Sequence, residues 1–247
     1  MTYKRARNFF MIIIIIFICI MLLIIYHKDE KTLLSTNSTF KYPVEVVQHG
    51  PRDKKVVALT FDDGPHPIYT TEILDILRQY KAKATFFILG RHAEFHPELI
   101  LRESKEGHEI GVHSFNHINI SKEKEETVRE EFEKTQDIIY KITGKKSKVF
   151  RPPYGIQNDI VFKIADENNC SVILWTYYQD SRDWSNPGID KIIDTVLSQI
   201  QNGDIVLFHD HNEAEESQTV EALKIILPEL IEKGYRFVTI SELLDME

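Results

Sequence analysis

VVALTFDDGP, residues Val56 to Pro65, is the stretch that decides the fold. A β-branched, apolar run ends in two neighbouring carboxylates, Asp62 and Asp63, after which Gly64-Pro65 stops the strand and turns the chain. Adjacent acids at the end of a buried strand repel one another and are penalised by desolvation, so the pattern calls for a cation beside them. A solvated Asp-Asp-Gly turn is the plainer reading of the same residues.

Working outward from that strand, β-type runs alternate with amphipathic ones. Strands are expected at Val56–Phe61, Ala84–Leu89, Glu109–Val112, Lys148–Phe150, Ser171–Trp175, Asp204–Phe208 and Arg236–Ile240. Helices are expected at Thr70–Tyr80, Pro97–Glu106, Lys122–Thr143, Asp159–Asn168, Ile189–Gln201 and Val220–Lys233, with a short last one from Ser241. Pro97 suits a helix start, and Gly107, Gly144, Gly203 and Gly234 lie just past helix ends. Repeated strand–helix units predict an α/β fold with a parallel sheet, and seven of them favour a distorted, TIM-like (β/α)7 barrel over an open doubly wound sheet.

The 247 residues suffice for one sizeable domain. Phe9 to Tyr26 is an unbroken apolar run of 18, preceded by Lys4, Arg5 and Arg7, long enough to cross a bilayer as a helix with the N-terminus inside. A cleaved signal peptide would end its apolar region in small residues, whereas His27, Lys28, Asp29, Glu30 and Lys31 follow here. The expected organisation is therefore a cytoplasmic basic segment 1–8, a transmembrane anchor 9–26, a stalk 27–53 and an extracytoplasmic domain 54–247. The chain carries 30 basic against 38 acidic residues. Three of the basic ones belong to the N-terminal segment, so the domain is acidic, which argues against nucleic acid as a partner. Cys170 is the only cysteine outside the apolar run, so the domain holds no disulfide.

Reactive groups in a parallel barrel collect at the C-terminal ends of the strands. Asp62 and Asp63 follow the first strand, His113 and His117 (HSFNH) the third, and Arg151 and Tyr154 (RPPYG) the fourth. Asp180, Asp183 and Trp184 (DSRDW) follow the fifth, and His209, Asp210 and His211 (LFHDH) the sixth. Loops at the other end, such as Lys81-Ala82-Lys83, carry nothing comparable. His113 and His117 are four apart, a spacing that puts both imidazoles on one face of a helical turn, where they can share an ion. One Asp with two His leaves a position on such an ion for water, and the spare carboxylate can take a proton. Which of Asp62 and Asp63 does which stays open at this level. His66, His92, His96, His108 and His211 read as supporting or surface residues, and the Trp175-Thr176-Tyr177-Tyr178 run as rim packing or a sugar-stacking platform.

TFDDGP, HSFNH, RPPYG, DSRDW and LFHD, in this order, resemble the five motifs of the polysaccharide deacetylases, carbohydrate esterase family 4, with their NodB-type domain. The resemblance runs from about Lys54 to Leu243. It implies a distorted seven-stranded barrel and metal-dependent removal of acetyl groups from an N-acetylated polysaccharide. It further implies Asp62 as general base, Asp63, His113 and His117 as ligands to a divalent ion, usually Zn2+, and His209 as general acid. Arg151 would keep Asp62 charged and oriented, and Asp183 would do the same for His209. The Tyr154 backbone N–H would help hold the oxyanion, and Trp184 and Leu207 would line the pocket for the acetyl methyl group. For an anchored, outward-facing enzyme the expected substrate is peptidoglycan at its N-acetylglucosamine residues; N-acetylmuramic acid, chitin oligomers and an exported polymer are the alternatives, as is a silent carbohydrate-binding module.

Overall fold

The computed structural model describes residues 42–211 and 217–246. Its most extensively paired strand is β2 (Val56–Asp62), which joins three others and has all seven residues buried. Alternation along β2 sends Val56 and Ala58 into one apolar core and Val57, Leu59 and Phe61 into another. Thr60 and Asp62 share the first face, so the sheet's inner side turns polar toward the strand's C-terminal end.

The other strands are β1 (Val46–Val47), β3 (Ala84–Ile88), β4 (Glu109–Val112), β5 (Val149–Phe150), β6 (Ser171–Ile173), β7 (Asp204–His209) and β8 (Arg236–Phe237). They pair in parallel in the order β1-β6-β5-β4-β3-β2-β7, with β8 joining β2 at Val56 and Val57. Between β6 and β7 irregular chain replaces a ladder: Thr176 N–H donates to Ile205 O at 3.0 Å, and Leu207 N–H to Gln179 O at 3.0 Å. This curled parallel sheet matches the (β/α)7 barrel expected from the sequence, in distorted form.

The α-helices among the described residues are α1 (Tyr69–Gln79), α2 (Gly90–Phe95), α3 (Pro97–Lys105), α4 (Glu125–Thr143), α5 (Asp159–Glu167), α6 (Ile189–Leu197), α7 (Gln218–Glu232) and α8 (Ile240–Leu244). Side chains of Asn158 and Ser217 cap α5 and α7, and α4 stops at Gly144, whose φ of 75° is the left-handed form glycine adopts freely.

Four expectations need correction. Val46–Val47, assigned to the stalk, pairs in register with Val172 and Ile173 of β6, because a short β-branched patch covers an otherwise open sheet edge. Helix α2 was not foreseen; six residues are too few to show a period. The last strand stops at Phe237 instead of Ile240, since Thr239 and Glu242 form a reciprocal capping box that starts α8. The fifth expected strand ends at Ile173, not Trp175. The anchor at 9–26 lies outside the described residues, among which no helix is long and apolar enough to cross a membrane.

Candidate active site

A cleft of about 400 Å³ opens at the C-terminal ends of the strands, lined by Asp62, Asp63, His113, His117, Tyr154 and His209, with Trp175, Asp180, Trp184 and Leu207 among its walls. All ten expected site residues gather here or directly behind it. A second cleft of about 420 Å³, between His108, Lys146 and Ser241, lies at the opposite end of the sheet and holds none of them.

Asp62 ends β2 and is 3% exposed. Its cation is Arg151, fully buried, whose Nη1 donates to Asp62 Oδ1 at 2.7 Å. The same guanidinium reaches Thr60 Oγ1 at 2.8 Å, Ile173 O at 3.2 Å and Leu174 O at 3.0 Å, and lies 4.1 Å from the centre of the Phe87 ring. A planar fork with this many fixed partners is oriented as well as neutralised.

Asp63 turns the other way. Its φ of 74° takes the chain out of the strand, and its amide donates to Phe87 O at 3.2 Å. Asp63 Oδ1 is buried without a hydrogen-bond partner and lies 3.6 Å from His113 Nε2 and 3.5 Å from His117 Nε2. One donor atom from each of the three residues falls within 4.8 Å of the others. His113 Nδ1–H donates to Arg151 O at 2.6 Å, which leaves Nε2 facing the cleft with its lone pair. Burial lowers the His117 pKa, and the neighbouring His113 adds to the effect. Burial alone would raise the Asp63 pKa, but His113, His209 and His117 around it outweigh that and hold it below the usual carboxylate value. An orphaned anionic oxygen facing two imidazole nitrogens is a donor set that fits a divalent ion of the zinc type.

The histidine pair is not on a helical turn, as its spacing suggested. Residues 113–117 form an irregular loop after β4, with left-handed φ at Ser114 (70°) and His117 (59°). Glu131 of α4 holds it: Oε2 accepts from Phe115 N at 2.9 Å and Asn116 N at 2.6 Å, and Oε1 from Asn116 Nδ2 at 2.6 Å. Glu131 stands in a helix dense with charged residues, and nothing in its spacing marks it for this role.

Across the cleft, His209 ends β7 in direct register with Asp62. His209 Nδ1–H donates to Asp183 Oδ1 at 2.7 Å, and Asp183 also accepts from His209 N at 2.8 Å, Trp184 N at 2.9 Å and Thr219 Oγ1 at 2.6 Å. Thr219 was not foreseen, since a threonine in the first turn of α7 carries no motif. Burial works against a charged ring, yet Asp183, with Asp62 and Asp63 beyond it, raises the His209 pKa to about 9. Burial would raise the Asp183 pKa, but the charge of His209 and the hydrogen bonds from His209 and Thr219 hold it below its ordinary value.

The remaining expectations divide. Tyr154 has a left-handed φ of 61°, and its ring stands 4.7 Å from His117, edge to face. Leu207 is buried in the cleft wall and Trp184 is 58% exposed at its rim. Trp175 lines the cleft, whereas Tyr177 of the same run faces solvent. His66 supports the turn by accepting from Ile68 N and Tyr69 N, and His92 Nδ1–H donates to Asp63 O at 2.7 Å.

Residues 49–173 match the polysaccharide deacetylase family model. A peptidoglycan-N-acetylglucosamine deacetylase of Bacillus cereus is 48% identical over 194 residues, covering 78% of this chain and 90% of its own. A crystal structure of a peptidoglycan N-acetylglucosamine deacetylase in complex with 4-naphthalen-1-yl-N-oxidanyl-benzamide superposes with a TM-score of 0.78 at 38% identity, covering 82% of this chain and 94% of that one. A pseudoenzyme of carbohydrate esterase family 4 from Bacillus anthracis superposes with a TM-score of 0.74 at 34% identity, covering 81% and 69%. On motif order, site geometry and these likenesses together, the chain belongs to the polysaccharide deacetylase family.

Proposed function

We propose that this protein is a metal-dependent deacetylase that hydrolyses N-acetyl groups of amino sugars in peptidoglycan, with N-acetylglucosamine as the sugar and Zn2+ as the ion. One observation carries the reading: a carboxylate paired with Arg151 and an imidazole paired with Asp183 face each other over the Asp63, His113 and His117 donor set. The B. anthracis pseudoenzyme shows that the fold alone does not decide activity. Here base, acid, both ion-pair partners and all three ligands are present, and a binding module needs neither Asp62 nor His209.

Asp63, His113 and His117 would hold the ion, which when bound supplies a Lewis acid for the acetamide carbonyl and makes nearby water more acidic. Asp62, fixed by Arg151, takes the proton of the attacking water. The Tyr154 backbone N–H donates to the oxygen that gains charge as the carbonyl carbon becomes tetrahedral. His209 enters as the imidazolium; Nδ1–H stays on Asp183 while Nε2–H protonates the departing sugar nitrogen, releasing acetate and the free amine. Trp184 and Leu207 enclose the methyl group.

We further place the domain outside the cell, tethered through residues 9–26; this location, not the cleft, is what favours peptidoglycan among N-acetylated polymers. The test is acetate release by the chain from peptidoglycan and from N-acetylglucosamine oligomers, with chelator and with added zinc. Release abolished by chelator and restored by zinc is expected, with peptidoglycan preferred. No release from either polymer by folded, zinc-loaded protein refutes the reading.

A further inference from the structure

Helix α2, the short element after β3, stands between the two loops that carry the metal donor set. Just before it, Leu89 N–H donates to Gly64 O at 3.0 Å, on the turn that holds Asp63. Gly90 N–H and Arg91 N–H donate to Ser114 O at 3.1 Å and Phe115 O at 3.2 Å, in the loop that runs from His113 to His117. The approach is close, since a Cβ on Gly90 would run into Phe115 and Thr135. Three consecutive amides thus tie both ligand loops to one helix start.

His92 adds a side chain to this clamp. Its Nδ1–H donates to Asp63 O at 2.7 Å, and its Nε2 accepts from Arg91 Nε–H at 3.2 Å. A ring that donates at one nitrogen and accepts at the other is neutral, with its tautomer set by the two partners. Its face lies on His211, with centroids 4.2 Å apart and planes at 12°. The ring is therefore fixed both in its plane and across it.

Asp63 needs such a hold. Its φ of 74° is strained for a residue with a side chain, and such a conformation persists only where neighbours over-determine it. Its amide is tied to Phe87 O of β3 and its carbonyl to His92. With both backbone groups fixed, Oδ1 is delivered toward His113 Nε2 and His117 Nε2. A released carbonyl would let the peptide rotate toward an ordinary conformation and carry the carboxylate away from the imidazoles.

We propose that His92, which lies in none of the five motifs, is a positioning residue for metal binding. It holds the Asp63 carbonyl from a helix start that is itself bonded to the His113–His117 loop, and so sets the carboxylate ligand against the two histidines. This rests on the metal-deacetylase reading above.

Three variants of the full chain separate this role from packing. Each is compared with wild type for zinc affinity by competition with a chromophoric chelator, for thermal midpoint without metal, and for kcat and KM. His92→Phe keeps a flat ring against His211 but has no donor, and His92→Leu has neither. Both should bind zinc about tenfold more weakly and, at limiting zinc, lower kcat with KM unchanged. His92→Asn gives up the stacking but puts an amide N–H where Nδ1–H stands, and should bind zinc as wild type does. Wild-type zinc affinity in either His92→Phe or His92→Leu overturns the proposal. So does a loss in His92→Asn as large as in the other two, which would make His92 a packing residue. A wild-type chain that binds no zinc overturns the metal reading and this proposal with it, so the two failures are distinguishable.

Discussion

Asp183→Asn tests the assignment of the general acid most directly. The Asp183 carboxylate accepts four hydrogen bonds, two of them from His209, and its negative charge is the main influence that keeps the ring protonated against burial. Removing that charge drops the His209 pKa from about 9 toward its ordinary 6.5 or below. Near pH 8 the protonated fraction then falls from about 0.9 to about 0.03, a loss of roughly 30-fold before any change in ring orientation. The assay is acetate release at low substrate across pH, because kcat/KM reports ionisations of the free enzyme. An acid that must be protonated sets the alkaline limb, so the limb should move to lower pH by about 2.5 units or more while the acidic limb stays. A variant with reduced rate but an alkaline limb in the wild-type position refutes the argument, since His209 would then not be the proton donor.

The same pair predicts how stability depends on pH in chelator-treated protein. With its pKa raised, His209 contributes fully below 6.5 and loses that contribution as pH climbs through about 9; with its pKa lowered, Asp183 contributes above 3.8 and loses this as pH falls. The unfolding free energy of wild type should therefore exceed that of Asp183→Asn most between about pH 4 and 6.5, by an amount on the order of 3 kcal/mol, and the gap should close toward pH 10. Asp62→Asn should keep zinc affinity yet lose about 10²–10⁴ in kcat; a near-normal rate would show that another group is the base. Arg151→Met leaves the Asp62 carboxylate buried without a cation and should destabilise the chain by about 3–5 kcal/mol in chemical denaturation, whereas an unchanged midpoint would mean that Asp62 is solvated.

What the sequence could and could not disclose follows from how each residue is held. Asp62, Asp63, His113, Arg151, Asp183 and His209 were legible because each sits at or just beyond a strand end, where the β-type run marks the place and the chemistry marks the residue. Glu131, Thr60 and Thr219 were not, although they orient the histidine loop, Arg151 and Asp183. Glu131 and Thr219 reach the site from other elements and Thr60 from within a strand, and a Glu on a charged helix or a Thr in a strand looks like any other. Strand β1 escaped for the opposite reason. Two valines have no period, and only the open edge of β6 makes them a strand.

The polar interior at the C-terminal end of the sheet explains why this fold can run acid and base chemistry in one cleft. Asp62 and His209 occupy paired positions on adjoining strands, so their side chains emerge on the same face. Without other partners they would settle as a simple ion pair with one another. Each instead has its own buried partner of opposite sign: Arg151 behind Asp62, and Asp183 behind His209. Both partners are anchored by several further hydrogen bonds, so neither can swing across to the other's site. The outcome is a carboxylate and an imidazolium kept apart in a site drier than water. Proton acceptor and proton donor therefore coexist at one pH, as the hydrolysis of an amide requires.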